Sequence, residues 1–352
     1  MTMTGTPSGL LTLEHGLRPP NLPFREDETL EEVKAVMLQL AAGQRFERLG
    51  AIVQEHLFTG GKRLRARLAL ESAVALGGSA QDTIAWAAAC ELLHNATLVH
   101  DDLQDADPMR RGHFTVWMRH GQAQAINAGD LMLMLPFIAV EGVEADDQTR
   151  WHLSRAIARR AEQTVRGQSL EMTLLSSGML DWESYAAAAR GKTSALMALP
   201  VHGSALLSGR PPEEAERLAE PFCDLGLLFQ IQDDVVDLFG DKGRGERGGD
   251  LREGRVSALV AEHLRLHPTQ TRFIVDLLET PRDQTSNEAI DEMARRFEGQ
   301  GALAAVLARI ESVARSIEEA EALSSEPALR SVARALIERS LAPVGHLMEK
   351  HS

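Results

Sequence analysis

Two clusters of aspartate stand out in this 352-residue chain: Asp101, Asp102 and Asp105 in LLHNATLVHDDLQDADPMRRG, and Asp233, Asp234 and Asp237 in LGLLFQIQDDVVDLFGD. Asp101 and Asp105 are spaced i, i+4, so on a helix they stand one turn apart on one face, with Asp102 beside them. Like charges at that spacing repel unless a cation joins them. Carboxylates are hard ligands suited to Mg2+, which keeps several waters and completes its shell with phosphate oxygens. The second cluster repeats the device: Gln230, Asp233, Asp234 and Asp237 share a face, while Leu225, Leu228, Val235 and Val236 serve the core. Charges in so apolar a helix need partners. Two such helices facing each other would hold divalent cations over a polyanionic ligand. Basic residues stand where a diphosphate would need them. Lys62 and Arg65 lie one turn apart in GGKRLRARL, Arg110-Arg111-Gly112 follows the first acidic cluster, and Gly191-Lys192-Thr193 opens another helix. Arginine offers forked hydrogen bonds to phosphate, and lysine a mobile point charge.

The elements that must carry these residues are helices. Leu92, Leu93, Ala96 and Val99 recur at helical spacing ahead of the first acids. Thr29 and Glu32 predict a capping box, Asp181 precedes WESYAAAA, and Pro211-Pro212 stands before EEAERLAEPF, where a missing amide costs nothing. No β-branched run alternates cleanly, so no strand is expected. Roughly twelve helices, several longer than 20 residues, would form a single all-α domain over residues 27–352, after a proline-containing arm at 1–26. The glycine-rich stretch at 240–255, GDKGRGERGGDLREGR, reads as a polar loop of the kind that carries function.

Composition narrows the classes. Hydrophobic residues make up 44% and charged residues 25%, with only 10 Phe, 4 Trp and 1 Tyr, which suits a helical globular protein and not an all-β one. A net charge of −14 repels polyanions at large, which argues against nucleic-acid binding. Cys90 and Cys223 sit in apolar helical runs and suit free thiols in a reducing compartment. The longest apolar run, 131–140, contains Pro136 and is shorter than a bilayer span, and the N-terminus has no basic or long apolar region. A cytoplasmic protein with no transmembrane segment is expected.

The motifs GGKRLR, LLHNATLVHDDLQD with RRG, Gly167-Gln168, GKTSAL, FQIQDDVVD and GGDLREGR occur in this order between about residues 60 and 260. Together they resemble the all-trans isoprenyl diphosphate synthase (polyprenyl synthetase) family. The resemblance implies an all-α bundle around a deep central cavity (the isoprenoid synthase fold), usually a homodimer. It implies a trans-prenyltransferase that joins isopentenyl diphosphate to an allylic diphosphate (dimethylallyl, geranyl or farnesyl) and releases diphosphate. Asp101, Asp102, Asp105, Asp233 and Asp237 would hold Mg2+. Arg110, Lys192, Thr193 and Gln230 would contact the allylic diphosphate, and Lys62, Arg65, His94 and Arg111 the isopentenyl diphosphate. Arg244 or Arg247, and Arg255, stand where the family usually has lysines, Ala66 replaces a common proline, and Glu171 a common aspartate.

Other readings fit the residues less well. A class I terpene cyclase would mix Asn, Ser or Thr and Glu in its second metal motif and would not need the Lys62/Arg65/Arg111 pocket. A ferritin-like diiron bundle would pair Glu91 and His94 with a second ExxH, which does not occur. A non-catalytic regulatory subunit of a heteromeric synthase would have lost an acidic motif. Ala96 and Thr97, small residues five and four before Asp101, leave the cavity open, so a product of geranylgeranyl length or longer is expected. Met132, Leu135 and Phe137 are the candidates for a deeper stop, with Phe137 the best plug.

Overall fold

The computed structural model describes residues 26–43, 47–240 and 247–351. The first helices are α1 (Glu26–Ala41), α2 (Leu49–Phe58), α3 (Leu64–Ala75), α4 (Ile84–Gln104), α5 (Val116–His120) and α6 (Gln122–Glu141). They are followed by α7 (Asp147–Thr173), α8 (Trp182–Ala189), α9 (Ala195–Leu207), α10 (Pro212–Phe239), α11 (Gly249–Arg252) and α12 (Ala258–Leu266). The last are α13 (Thr271–Leu278), α14 (Asn287–Gly299), α15 (Ala302–Glu318), α16 (Pro327–Leu341) and α17 (Gly345–His351). The all-α expectation holds. The helices outnumber the twelve expected because several are only a turn or two long.

At the centre α4 is buried on nearly every side and packs on α1, α3, α6 and α9. Its Trp86 indole donates to the Pro200 carbonyl of α9 at 3.1 Å, and a Cβ at Gly203 would lie 2.0 Å from that ring, so the glycine admits the tryptophan. Ser204 ties α9 to α3 through the Ala69 carbonyl at 2.7 Å. The second acidic helix, α10, lies against α9 and is backed by α15 and α16, so residues beyond 300 belong to the same bundle.

Several local expectations need correction. α1 starts at Glu26, so Thr29 lies inside the helix and not at its N-terminus. Pro136 sits within α6 without ending it, and α6 is the one helix among the described residues long and apolar enough to cross a membrane by length and composition. Its Ala125, Ala128, Met132, Leu135 and Ala139 are buried in the bundle. A two-residue hairpin also appears: β1 (Met109–Arg110) pairs antiparallel with β2 (His113–Phe114). Its turn places Arg111 at φ 53° and Gly112 at φ 79°. Such turns need left-handed backbone at both central residues, and Arg-Gly is not a usual signal for them. Asp181 does cap α8, accepting from Ser184 N at 2.9 Å, and Pro212 opens α10. Of the 1–26 arm, all but Glu26 lies outside the described residues, as does Arg244 in the 240s loop.

Candidate active site

A cavity of about 870 Å³ opens among α3, α4, α7, α9 and α10. Asp101 of α4 and Asp233 of α10 both line it, as do Arg65, His94, Lys192, Thr193 and Gln230. Lys192 and Thr193 sit in a single π-helical turn, Arg190–Ser194, between α8 and α9. That turn meets α7 backbone to backbone: a Cβ at Gly167 would lie 2.1 Å from Lys192 N, and one at Gly191 would lie 2.6 Å from Gly167 Cα. Two glycines therefore let the turn that carries the lysine and threonine pack directly on α7. Such π-turns recur at functional sites.

Each acidic motif divides its labour. On α4, Asp101 faces the cavity, whereas Asp102 is buried and its Oδ1 accepts from Arg110 Nε at 2.5 Å. On α10, Asp233 is exposed toward the cavity, whereas Asp234 is buried and accepts from Tyr185 Oη at 2.7 Å, Ala258 N at 2.8 Å and Gln230 Nε2 at 3.0 Å. One step along a helix turns a side chain by about 100°, enough to move it from the cavity to the packed interior. Asp102, expected as a metal ligand, here pairs with Arg110 through Oδ1 while its Oδ2 is buried without a partner, and neither residue lines the cavity. Asp105 pairs with Arg255 at 2.6 Å, and Asp237 accepts from Asp250 N at 3.1 Å, holding the start of α11.

Charge is paired in advance on the cationic side as well. Lys192 bonds Glu171 at 2.5 Å, and Arg255 also meets Glu253 at 2.9 Å. Burial works against the charge of Arg255, but Asp105, Glu253 and Asp250 outweigh it and raise its pKa. Burial pushes Asp101 up to about 6, opposed by Lys192 and reinforced by Asp105 and Glu171. Asp102 is likewise raised by burial to about 6, against the pull of Arg110.

On the α3 side Arg65 Nη1 lies 3.1 Å from His94 Nε2, while Arg65 Nε and His94 Nδ1 are buried without partners. Burial, with Arg65 and Arg111 beside it, holds His94 well below the ordinary histidine range, so it is neutral. Arg111 donates to the Gly60 carbonyl, and a Cβ at Gly61 would lie 2.6 Å from its guanidinium. Lys62 and Arg111 do not line the main cavity; Lys62 is exposed beside it.

The donor set fits Mg2+. Hard carboxylates stand on two walls, and among the described residues no three converge on one point. That suits an ion that takes one or two carboxylates and leaves the rest of its shell to water and phosphate.

The expected cavity floor also needs revision. Thr97 lines the cavity, but Ala96 is fully buried outside it. From α6 only Leu133 reaches it; Met132 and Leu135 are buried elsewhere, and Phe137 is half-buried outside the lining. Sequence reasoning assigned no role to Gln104 and Gln168, which line the cavity and bond to each other at 2.9 Å, or to the partners Glu171 and Tyr185. The signals were faint: Glu171 departs from a family aspartate, and Tyr185 is the only tyrosine in the chain.

The polyprenyl synthetase family model matches residues 46–296, which include both acidic helices and the cationic segments between them. The chain belongs to the polyprenyl synthetase family. This polyprenyl synthetase is 34% identical over 240 residues to the short chain isoprenyl diphosphate synthase of Methanocaldococcus jannaschii, covering 67% of this chain and 73% of that one. It is 31% identical to a protein of the same description from Methanothermobacter thermautotrophicus, over 81% of this chain and 89% of the relative. The crystal structure of a geranylgeranyl pyrophosphate synthase superposes at a TM-score of 0.81 with 28% identity, covering 92% of this chain and 99% of the other. The corresponding protein of Pyrococcus horikoshii gives 0.79 at 25% identity, over 89% and 97%. The bundle is thus the isoprenoid synthase fold.

Proposed function

We propose that this polyprenyl synthetase condenses isopentenyl diphosphate with an allylic diphosphate in a Mg2+-dependent reaction, yielding geranylgeranyl diphosphate or a longer product. The observation that carries the reading is one cavity lined together by Asp101 of α4, Asp233 of α10 and Lys192 of the π-turn. Asp101 and Asp105 from α4, and Asp233 and Asp237 from α10, are the residues that would hold the metal. Bound Mg2+ supplies charge neutralisation on the leaving diphosphate. Lys192 and Arg255, each now held by a carboxylate, turn their N–H groups to the same phosphates. The unpartnered Arg65 Nε and His94 Nδ1 suit a second diphosphate on the α3 side, with Lys62 and Arg111 at its edge.

In the reaction the allylic C–O bond breaks and its electron pair leaves with the diphosphate. The isopentenyl double bond then attacks the allylic carbon, forming the new C–C bond. A proton is lost from the resulting cation to the departed diphosphate, and the alkene is restored. The apolar walls from Leu133, Val165, Leu196, Met197 and Phe229 keep water from the cation and receive the growing tail.

A homodimer is the proposed assembly, supported by α6, which leaves Ile126, Met134 and Ile138 about half exposed on a bundle helix. We read α6 as this contact and not as a membrane span, and place the protein in the cytoplasm, in keeping with free thiols at Cys90 and Cys223. The deciding experiment incubates purified protein with isopentenyl diphosphate, each allylic starter and Mg2+, and chromatographs the dephosphorylated products. Absence of any chain elongation with all starters would overturn the reading.

A further inference from the structure

Asp234 is turned away from the cavity into the packed interior. Its carboxylate is 3% exposed and accepts three hydrogen bonds, from the Tyr185 hydroxyl, the Ala258 amide at the start of α12, and the Gln230 side-chain amide. While ionised the carboxylate can only accept, so the Gln230 NH2 faces it and the Gln230 carbonyl oxygen faces away. That oxygen meets the Thr193 hydroxyl at 3.2 Å. The hydroxyl has one proton and gives it to Gln230, so its lone pairs are what it presents to the cavity, which Thr193 and Gln230 both line. The ordering starts from Tyr185, whose phenol is itself a donor when facing a carboxylate. Tyr185, Asp234, Gln230 and Thr193 thus form one polarised chain in which each member fixes the orientation of the next.

We propose that Asp234 and Tyr185 are positioning residues that lock the hydrogen-bond polarity of Gln230 and Thr193, so that the negative end of the Thr193 dipole faces the cavity where the allylic carbon becomes positive. This rests on the prenyl-transfer reading and deepens it. A preset dipole acts without reorganisation when charge develops, so its loss appears in the chemical step more than in isopentenyl diphosphate binding. Asp234→Asn is the informative change. The asparagine can offer NH2 to Gln230, which then flips its amide, offers its own NH2 to Thr193, and turns the hydroxyl proton toward the cavity.

The test combines three measurements on the full chain. Asp234→Asn and Tyr185→Phe are expected to lower kcat at least tenfold while the KM for isopentenyl diphosphate stays within twofold. In a Thr193→Val background, Asp234→Asn should have little further effect, because the group it orients is gone. The Mg2+-induced rise in melting temperature should survive in Asp234→Asn and vanish in Asp233→Asn. Because the chain has one tyrosine, ring-13C-tyrosine labelling gives a single resonance, which Asp234→Asn should shift whether or not the protein is active. A kcat within twofold of wild type, additivity with Thr193→Val, loss of the Mg2+ response in Asp234→Asn, or an unmoved tyrosine resonance each overturns the proposal. An inactive wild type that keeps the tyrosine shift overturns the prenyl-transfer reading instead.

Discussion

Neighbouring aspartates in one motif are set to different tasks by what packs behind them. Asp101→Ala is expected to cut turnover by orders of magnitude and to abolish the Mg2+-dependent gain in melting temperature. Asp102→Ala is expected to act on stability, because it strands the Arg110 guanidinium, and to keep the Mg2+ response; calorimetry with and without metal separates the two. The acids were legible in the sequence by type and spacing. Which of them faces inward was not, because that depends on Arg110 and Tyr185, which arrive from other elements. Burial raises Asp101 from 3.8 to about 6. Its contribution to stability is therefore fully present below about 3.8 and lost as pH rises through about 6. Mg2+ competes with that proton, so the gain in melting temperature at saturating Mg2+ should be larger at pH 8 than at pH 5. Equal gains at both would contradict the assignment of Asp101 to the metal. Among the cations, Lys192→Ala should raise the KM for the allylic substrate and Arg65→Ala that for isopentenyl diphosphate, each by roughly tenfold to a hundredfold, the worth of a hydrogen bond to a charged group at about 1.5–3 kcal/mol.

The helices decide how far the product can grow. Thr97 on α4 and Leu133 on α6 reach the cavity, while Ala96 points into packed core. Thr97→Phe is therefore expected to shift products toward shorter chains and Leu133→Ala toward longer ones, read by chromatography of the dephosphorylated alcohols. Ala96→Phe should instead overpack the core, at a cost of typically 1–3 kcal/mol, and lower the melting temperature. Helix existence and order could be read from periodicity and caps such as Asp181. The crossing of α7 with the π-turn could not, because Gly167 and Gly191 are distant in sequence and acquire meaning only where the backbones touch. The same limit explains Phe137: a ring of the right size on the right helix, turned to a different side.

At the scale of the molecule, α6 is buried on one side and carries Ile126, Met134 and Ile138 on the other. Ile138→Glu is expected to convert a dimer to monomer in sedimentation velocity; an unchanged sedimentation coefficient would place the partner surface elsewhere. The excess of acid over base in composition indicated that the chain would not bind polyanions in general, yet it takes two diphosphates in the proposed reaction. The resolution is local, since Lys192 and Arg255 stand beside the acidic motifs and are matched there by Glu171 and Asp105.

That matching, Lys192 with Glu171 and Arg255 with Asp105, has a thermodynamic corollary. An incoming diphosphate must draw each cation off its carboxylate, and a carboxylate so released is a better ligand for metal. An arriving metal must take Asp105 from Arg255, and an arginine so released is a better partner for phosphate. Each ligand therefore removes part of the cost of binding the other, and linkage requires the factor to be the same in both directions. Titrating a non-reactive allylic diphosphate analogue at fixed Mg2+, and then Mg2+ at fixed analogue, should return one common enhancement. Arg255→Gln, which leaves Asp105 free from the start, should shrink it.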